Sequence, residues 1–406
     1  MLEIPDTLNV PTYHSEVAAY LQNEQAELWQ WFAANCLAKD HTDAVRLELL
    51  KSAYRVDDQT TPRLQELAHE AAQQLGLDVP ITLYHAQRSV NGLNAHLTYL
   101  PGEVHIVLHG SITEMLDDVE LRALFGHELS HYIFWTGWDG KFFVADEVLA
   151  ALSNDGPQGS PQSESHRLLR LYAEIFCDRG ARIACGELLP TVSTLVKTET
   201  SVREVNAESY LKQAEEIAGS ESSKTVERTH PECYIRTRAL KLWDEQVTGA
   251  EDEIRRMIEG PAALNQLDLL AQNRINQFTR RLVDAFLSSA WLQTDKLVSH
   301  ARLFFDGFEP PAESKIDEQL TADLQTPDAS LRDYYCYVLL DFVTTDRELD
   351  EAPLAAALQL TERLQLDSRF GEIVHKELGI GKKQLAKLRR DAPKIVNQVA
   401  QESEAR

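Results

Sequence analysis

Apolar positions in the first fifty residues recur at helical spacing. In EVAAYLQNEQAELWQWFAANCLA, Val17, Tyr20, Leu21, Leu28, Trp31 and Phe32 trace a stripe, which predicts helix over 14–55 with Trp29 and Trp31 packed into a core. PRLQELAHEAAQQLG predicts another helix over 62–76, opened by a proline and closed by Gly76. The period then falls to two. VPITLYHA, AHLTYL and GEVHIVLHG are short and β-rich, and SVNG and glycines break them up. They predict a small sheet over roughly 80–109. His105 and His109 share a face with Val107 and are expected at solvent-facing or rim positions of their strand.

Helical spacing returns in DDVELRALFGHELSHYIFWTG, where Asp117 and Glu120 have the spacing of a capping box and Gly137 suits the C-terminal end. The stretch 137–162, ending in SNDGPQGSPQ, is expected to be a flap or a disordered loop because of its Gly, Pro and Ser. SESHRLLRLYAEIFCDRGARIACG carries the next helix. Residues 187–228 follow as a charged, serine-bearing segment, and TGAEDEIRRMIEG at 248–260 is the expected junction. Beyond it the pattern is helical to the end. The fold class is therefore α+β, mostly α: one domain with a small sheet over 1–250, and an all-α domain over 251–406.

A length of 406 residues supports two cores. The formal charge of −24 excludes nucleic acid as a partner and is assigned to solubility rather than to a basic ligand. GKKQLAKLRR at 381–390 reads as the solvated face of a helix. No apolar run is long enough to span a membrane, and MLEIPDTLNVPTYHSEV lacks the pattern of a signal peptide. Cys36, Cys177, Cys185, Cys233 and Cys336 are scattered, which points to a reducing compartment and a cytoplasmic protein.

The chemistry centres on His127-Glu128-Leu129-Ser130-His131. On a helix, two residues four apart end about 40° from one another on one face, so both imidazoles can reach one zinc ion. Glu128 lies beside them, placed to take a proton from water. Zinc needs a third protein ligand. The continuation HExxHxxGxxH is excluded, because Phe134 and Gly137 stand at the positions of its glycine and last histidine. A glutamate from a later helix is the other solution, and YAEIFCDRGA offers Glu174. Asp178 is one turn further on, suited to fix the tautomer of a ligating histidine, His127. Asp178 alternatively pairs with Arg182 four residues on. Cys177 reads as a small buried apolar residue.

These residues resemble a known family. HELSH followed by Glu174-Ile175-Phe176-Cys177-Asp178-Arg179-Gly180-Ala181 is similar to the HExxH and ExxxDxxGA pattern of the gluzincin metallopeptidases of the HtpX and CAAX-prenyl endopeptidase type. Asn94-Ala95 resembles the Asn-Ala strand beside that family's cleft, and Thr229-His230-Pro231 with Arg236 resembles its Thr-His-Pro-x-x-x-x-Arg segment. About residues 60–245 are covered. This chain departs by lacking a membrane helix and by carrying Phe176-Cys177 inside the second motif. The resemblance implies a zincin-type metallopeptidase domain and one zinc ion per chain on His127, His131 and Glu174. It also implies Glu128 and His230 as catalytic groups, Asn94 and Ala95 against the substrate, and peptide or unfolded protein as substrate.

The expected activity is metal-assisted hydrolysis of internal peptide bonds, with an extended peptide held by edge pairing on the strand near 103–109. The alternative is a zinc-binding scaffold or adaptor with the same fold and no turnover. In the C-terminal domain, RDYYCYVLLDFVTTDRELDEAPLAAALQLTERLQLD partly resembles the TerB-like helical module, with Arg347 at a position usually held by glycine. Its acidic turn, Asp346, Glu348, Asp350 and Glu351, reads as a capping turn, since its spacing misses the calcium-loop pattern. This domain is expected to offer a surface to a protein partner.

Overall fold

The computed structural model describes residues 4–35, 42–57, 59–87, 93–155, 157, 159–219, 225, 229–260, 264–311, 321 and 329–404. The SVNG turn and Cys36 lie outside the described residues. The described chain is mostly helical with one four-stranded sheet, and its contacts divide it into two compact units, 1–260 and 261–406.

Unit 1 opens with α1 (Thr12–Glu24), α2 (Ala26–Asn35) and α3 (Thr42–Ser52), then β1 (Ala53–Arg55) and α4 (Pro62–Gln74). The single helix expected over 14–55 is thus several elements. Val17 and Leu21 are buried, but α2 buries none of its residues and Trp31 is 59% exposed. The core position expected for the tryptophans does not hold for Trp31, which packs edge-on against Phe32. An apolar stripe marks the helix face that can be buried, not whether another element arrives to cover it.

The sheet continues with β2 (Ile81–Ala86), β3 (Asn94–Leu100) and β4 (Glu103–His109), in the order β1-β2-β4-β3. β2 and β4 run parallel, and the other pairs are antiparallel. The β3–β4 hairpin turns through Pro101 and Gly102, whose φ of 84° favours glycine. β4 lies inside the sheet, buried on both faces, so the expected edge pairing on 103–109 is corrected: its backbone groups are committed to β2 and β3. β3 is the edge. His105 is buried for the same reason, 4% exposed, instead of facing solvent.

Next come α5 (Ile112–Met115), α6 (Asp118–Thr136), α7 (Lys141–Asp155) and α8 (Pro161–Cys185). The expected flap at 137–162 is largely α7. The turn-forming residues cluster only after Asn154, while KFFVADEVLAAL has the apolar spacing of a buried helix. α6 carries the full capping box, Asp117 accepting from the Val119 and Glu120 amides and Glu120 accepting from the Asp117 amide. α8 begins with Ser160 and Pro161 and ends at Gly186 in the left-handed region. α6 and α8 are buried on most sides and touch very closely. A Cβ on Gly126 would lie 2.4 Å from the Ala184 Cβ, and one on Gly180 would lie 1.7 Å from the Ser130 Oγ.

α9 (Leu188–Thr200), α10 (Ala207–Ala218), α11 (Cys233–Asp244) and α12 (Ala250–Glu259) complete the unit. The stretch read as a junction is α12, which packs on α11 and α8. Unit 2 comprises α13 (Leu269–Phe286), α14 (Asp295–Phe304), α15 (Ala329–Thr345), α16 (Ala352–Arg363), α17 (Asp367–Leu378) and α18 (Lys382–Glu404). Leu282, Phe286, Leu339, Phe342, Leu358 and Phe370 are central to its core. Its acidic turn is tied down: Asp346 receives Thr294 and Lys296, and Lys296 also reaches Glu348.

Candidate metal centre

Three elements converge on one point. α6 projects His127 and His131 from one face, one turn apart, with ring centroids 5.0 Å apart. α8 brings Glu174 against them. Glu174 Oε2 lies 3.5 Å from His127 Nε2, and Oε1 lies 3.5 Å from His131 Nε2. α11 supplies Arg236. The close approach of α6 and α8 at Gly126 and Gly180 is what lets the carboxylate reach the imidazoles, since either glycine with a side chain would hold the helices apart.

The far side of His127 is also held. Its Nδ1 lies 3.0 Å from Asp178 Oδ1, and Asp178 receives a two-pronged grip from Arg236, Nε on Oδ2 at 2.8 Å and Nη2 on Oδ1 at 2.6 Å. The alternative pairing of Asp178 with Arg182 is not formed, because Arg182 faces Asp244 at 2.9 Å. His131 stacks on Trp135 one turn further along α6. That contact was readable from the spacing of four but was not expected.

Charge follows from burial opposed by partners. Burial works against ionised Glu174, yet His127, Arg236 and His131 hold it well below the usual carboxylate range. Burial also opposes protonation of His127, but Asp178 and Glu174 on its two nitrogens raise it to about 10. His131 lacks a second carboxylate, so burial lowers it to about 4. The buried Glu128 is raised to about 7 chiefly by desolvation, with the Leu97 amide donating to its carboxylate. Sequence gave no signal for that donor, since β3 is brought beside α6 only by the fold.

The donor set fits a zinc ion. Glu174 Oε2 is buried without a close hydrogen bond, with His127 Nε2 and the guanidinium of Arg236 each 3.5 Å away, which leaves it able to bind a cation lying between the carboxylate and the imidazoles. Ligand atoms of His127, His131 and Cys177 also lie within 4.8 Å of one another. Burial raises the Cys177 thiol well above its usual value, whereas Glu174 is held ionised and faces both imidazoles.

His230 sits at the mouth of the cleft, its side chain 57% exposed and its Nε2 3.7 Å from Glu174 Oε1. Asn94 and Ala95 open β3. Asn94 is exposed and its side chain accepts from the Ala95 amide, while Ala95 is buried. Both line the same cavity of about 540 Å³ as His127, Glu128, His131 and Glu174. Among the described residues no helix is long and apolar enough to cross a membrane.

Comparison with known proteins agrees with this geometry in part. Residues 58–134 match Peptidase family M48, a segment that contains β2 to β4 and the HELSH helix but stops before Glu174. The chain is also similar to the plastoglobule-localized metallopeptidase 48, chloroplastic, of Arabidopsis thaliana, at 26% identity over 221 residues, half of this chain and 62% of that protein. No solved structure matches.

Proposed function

We propose that the chain is a zinc-dependent endopeptidase in which His127, His131 and Glu174 hold the ion, one per chain. The observation that carries this reading is the buried carboxylate of Glu174 facing both imidazoles at 3.5 Å with one oxygen making no hydrogen bond. The matched family is one of peptidases, and the relative is named as a metallopeptidase.

His127, His131 and Glu174 would hold a zinc ion, which would supply Lewis acidity toward a scissile carbonyl and ease the loss of a proton from water near neutral pH. Glu128 takes that proton. Its carboxyl, buried between the two imidazole-bearing positions and β3, is placed to accept a proton from water and to return it to the leaving amine nitrogen. Asp178 accepts from His127 Nδ1–H, which turns Nε2 toward Glu174, and Arg236 keeps Asp178 ionised and in place. His230, at the open side of the cleft, donates to the developing oxyanion. β3, the sheet edge beside Glu128, holds the substrate backbone as an added strand, with Asn94 and Ala95 at one end of the contact. Edge pairing needs an extended chain, so the substrate is a flexible or unfolded polypeptide. We place the chain in the cytoplasm on its scattered cysteines, and the helical unit 261–406 is a surface for a protein partner.

The test combines metal analysis with peptide digestion. Purified protein retains about one zinc per chain and cleaves an unfolded substrate, and chelation abolishes cleavage. Glu128→Gln keeps the zinc and loses turnover by a factor of roughly 10²–10⁴. Equal cleavage by Glu128→Gln and wild type would refute the assignment.

A further inference from the structure

The cavity is walled on one side by α9, through Thr191, Thr194 and Thr198, and bordered beyond His131 by Trp135. Within it the two imidazoles of the centre are held differently. A histidine ring turns about a broad, two-fold torsion, so a ligating nitrogen stays aimed only if something fixes the ring. The usual fixture is a hydrogen bond on the other ring nitrogen. His127 has one, to Asp178. Among the described residues, the polar and ring contacts of His131 are Glu174 Oε1 on Nε2 and two aromatic rings, and none is a hydrogen bond on Nδ1. From the turn before, His127 meets the His131 ring edge-on, with centroids 5.0 Å apart and planes at 83°. From the turn after, Trp135 lies over it, with centroids 5.8 Å apart and planes at 30°, an offset stack made by residues four apart on α6. Trp135 is itself braced from the sheet. Tyr99 of β3 meets its indole edge-on at 5.7 Å, and Tyr99 lies against Tyr132 of α6 at 6.0 Å and Phe143 of α7 at 5.3 Å.

We propose that Trp135 is a positioning residue of the metal centre: its indole face does for His131 what the Asp178 carboxylate does for His127, and Tyr99 acts through it. The proposal rests on the zinc reading for the identity of the metal. An indole has no acceptor atom, so it restrains the imidazole by contact area and by the electrostatics of offset rings. It also brings no charge. Glu174 and Asp178 already place two acids on the pair of histidines. A third, on His131 Nδ1, would lessen the positive charge on which the Lewis acidity of a bound cation depends. The indole fixes the second ring without that loss.

The test uses the full-length protein stripped of metal and needs no turnover. Zinc affinity is measured by competition with a chromophoric chelator, and the visible absorption of the cobalt(II)-loaded protein reports the ligand geometry. Trp135→Leu keeps apolar bulk but offers no ring face. It is expected to bind zinc about tenfold more weakly and to alter the cobalt band. Trp135→Phe returns a ring and should keep the wild-type band, with an affinity within about threefold of wild type. Melting of the metal-free proteins is the control for packing, since both substitutions shrink the side chain. Tyr99→Leu withdraws the brace. It should weaken zinc binding by a smaller factor in the wild-type chain and add nothing in Trp135→Leu. Wild-type affinity and band in Trp135→Leu would overturn the positioning role while leaving the zinc centre standing. Equal losses in Trp135→Leu and Trp135→Phe, matched by equal losses in metal-free melting, would overturn it in favour of packing alone. Independent, additive losses at Tyr99 and Trp135 would overturn the part given to Tyr99. A wild-type chain that takes up neither zinc nor cobalt would overturn the zinc reading and the proposal together.

Discussion

Gly126→Ala tests whether the contact between α6 and α8 builds the metal centre. The added Cβ would fall 2.4 Å from the Ala184 Cβ, 3.1 Å from the Ala181 Cα and 3.1 Å from the Gly180 carbonyl oxygen. Two carbons rest at about 3.5–4.0 Å, so the helices must part by roughly 1 Å or more. Two of the three obstacles are backbone, and a rotamer change cannot clear them. Overpacking of this kind costs about 1–3 kcal/mol, and at about 2–4 °C per kcal/mol for a unit of this size the melting temperature should fall by several degrees. The consequence for the centre is larger than for stability. Zinc ligands tolerate deviations of about 0.2 Å, and Glu174 rides on α8 while both imidazoles ride on α6, so a parting of 1 Å takes the carboxylate out of reach. Zinc affinity, measured by competition with a chromophoric chelator, should fall at least about tenfold. Ala184→Gly in the same chain removes the 2.4 Å contact but not the backbone ones, so it should restore part of both losses. A variant that melts and binds zinc as the wild type does would show that the close approach is not what positions Glu174.

Asp178→Asn removes the anion that orients His127 and leaves Arg236 without its bidentate partner; zinc affinity should fall about 10–100-fold, and wild-type chelator competition would refute the orienting role. His14 is buried against Phe134 and Phe142, and burial lowers it from 6.5 to about 3. Between those values the unfolded chain holds the proton and the folded chain does not. Its stabilisation is therefore complete above pH 6.5 and is lost as pH falls, by about 1.4 kcal/mol per pH unit toward pH 3. Denaturant unfolding from pH 6.5 to 4 should show a slope flatter by one proton in His14→Gln, and an unchanged slope would refute the assignment. Calcium should leave the melting of the chain unchanged, because Lys296 and Thr294 already occupy Asp346. A rise of several degrees in millimolar calcium would contradict this.

The parts of the centre legible in the sequence are those whose chemistry is carried by spacing within one element. HELSH needs only a helix to place two imidazoles together, and Glu174 with Asp178 needs only a second helix to present an acid and its neighbour. The capping box at Asp117 was legible for the same reason. What the sequence did not reveal depends on how elements meet. The sheet edge beside the centre is β3 and not β4 because β4 inserts between β2 and β3, and strand order is not written in alternation. The apolar stripe of α2 places Trp31 inside, yet α2 touches α7 and α1 without burying any of its own residues, and Trp31 stays exposed. The stretch 137–162 reads as a flap or disorder because its Gly- and Pro-rich tail lends its character to the helix Lys141–Asp155 before it.

The wall of α9 shows the deeper limit. Residue type states what a side chain can donate or accept, and the fold decides whether that capacity is already used. Thr191, Thr194 and Thr198 count as polar in any composition, yet each hydroxyl donates to a carbonyl of its own helix, a commitment that residue type does not disclose. Glu174 is the converse case. It is buried and faces both imidazoles at 3.5 Å without a close hydrogen bond on one oxygen, and that placement makes it a ligand candidate rather than one more charge on a helix face. The functional reading of this cleft is therefore carried by the carboxylate of one helix and the two imidazoles of another that meet at its centre.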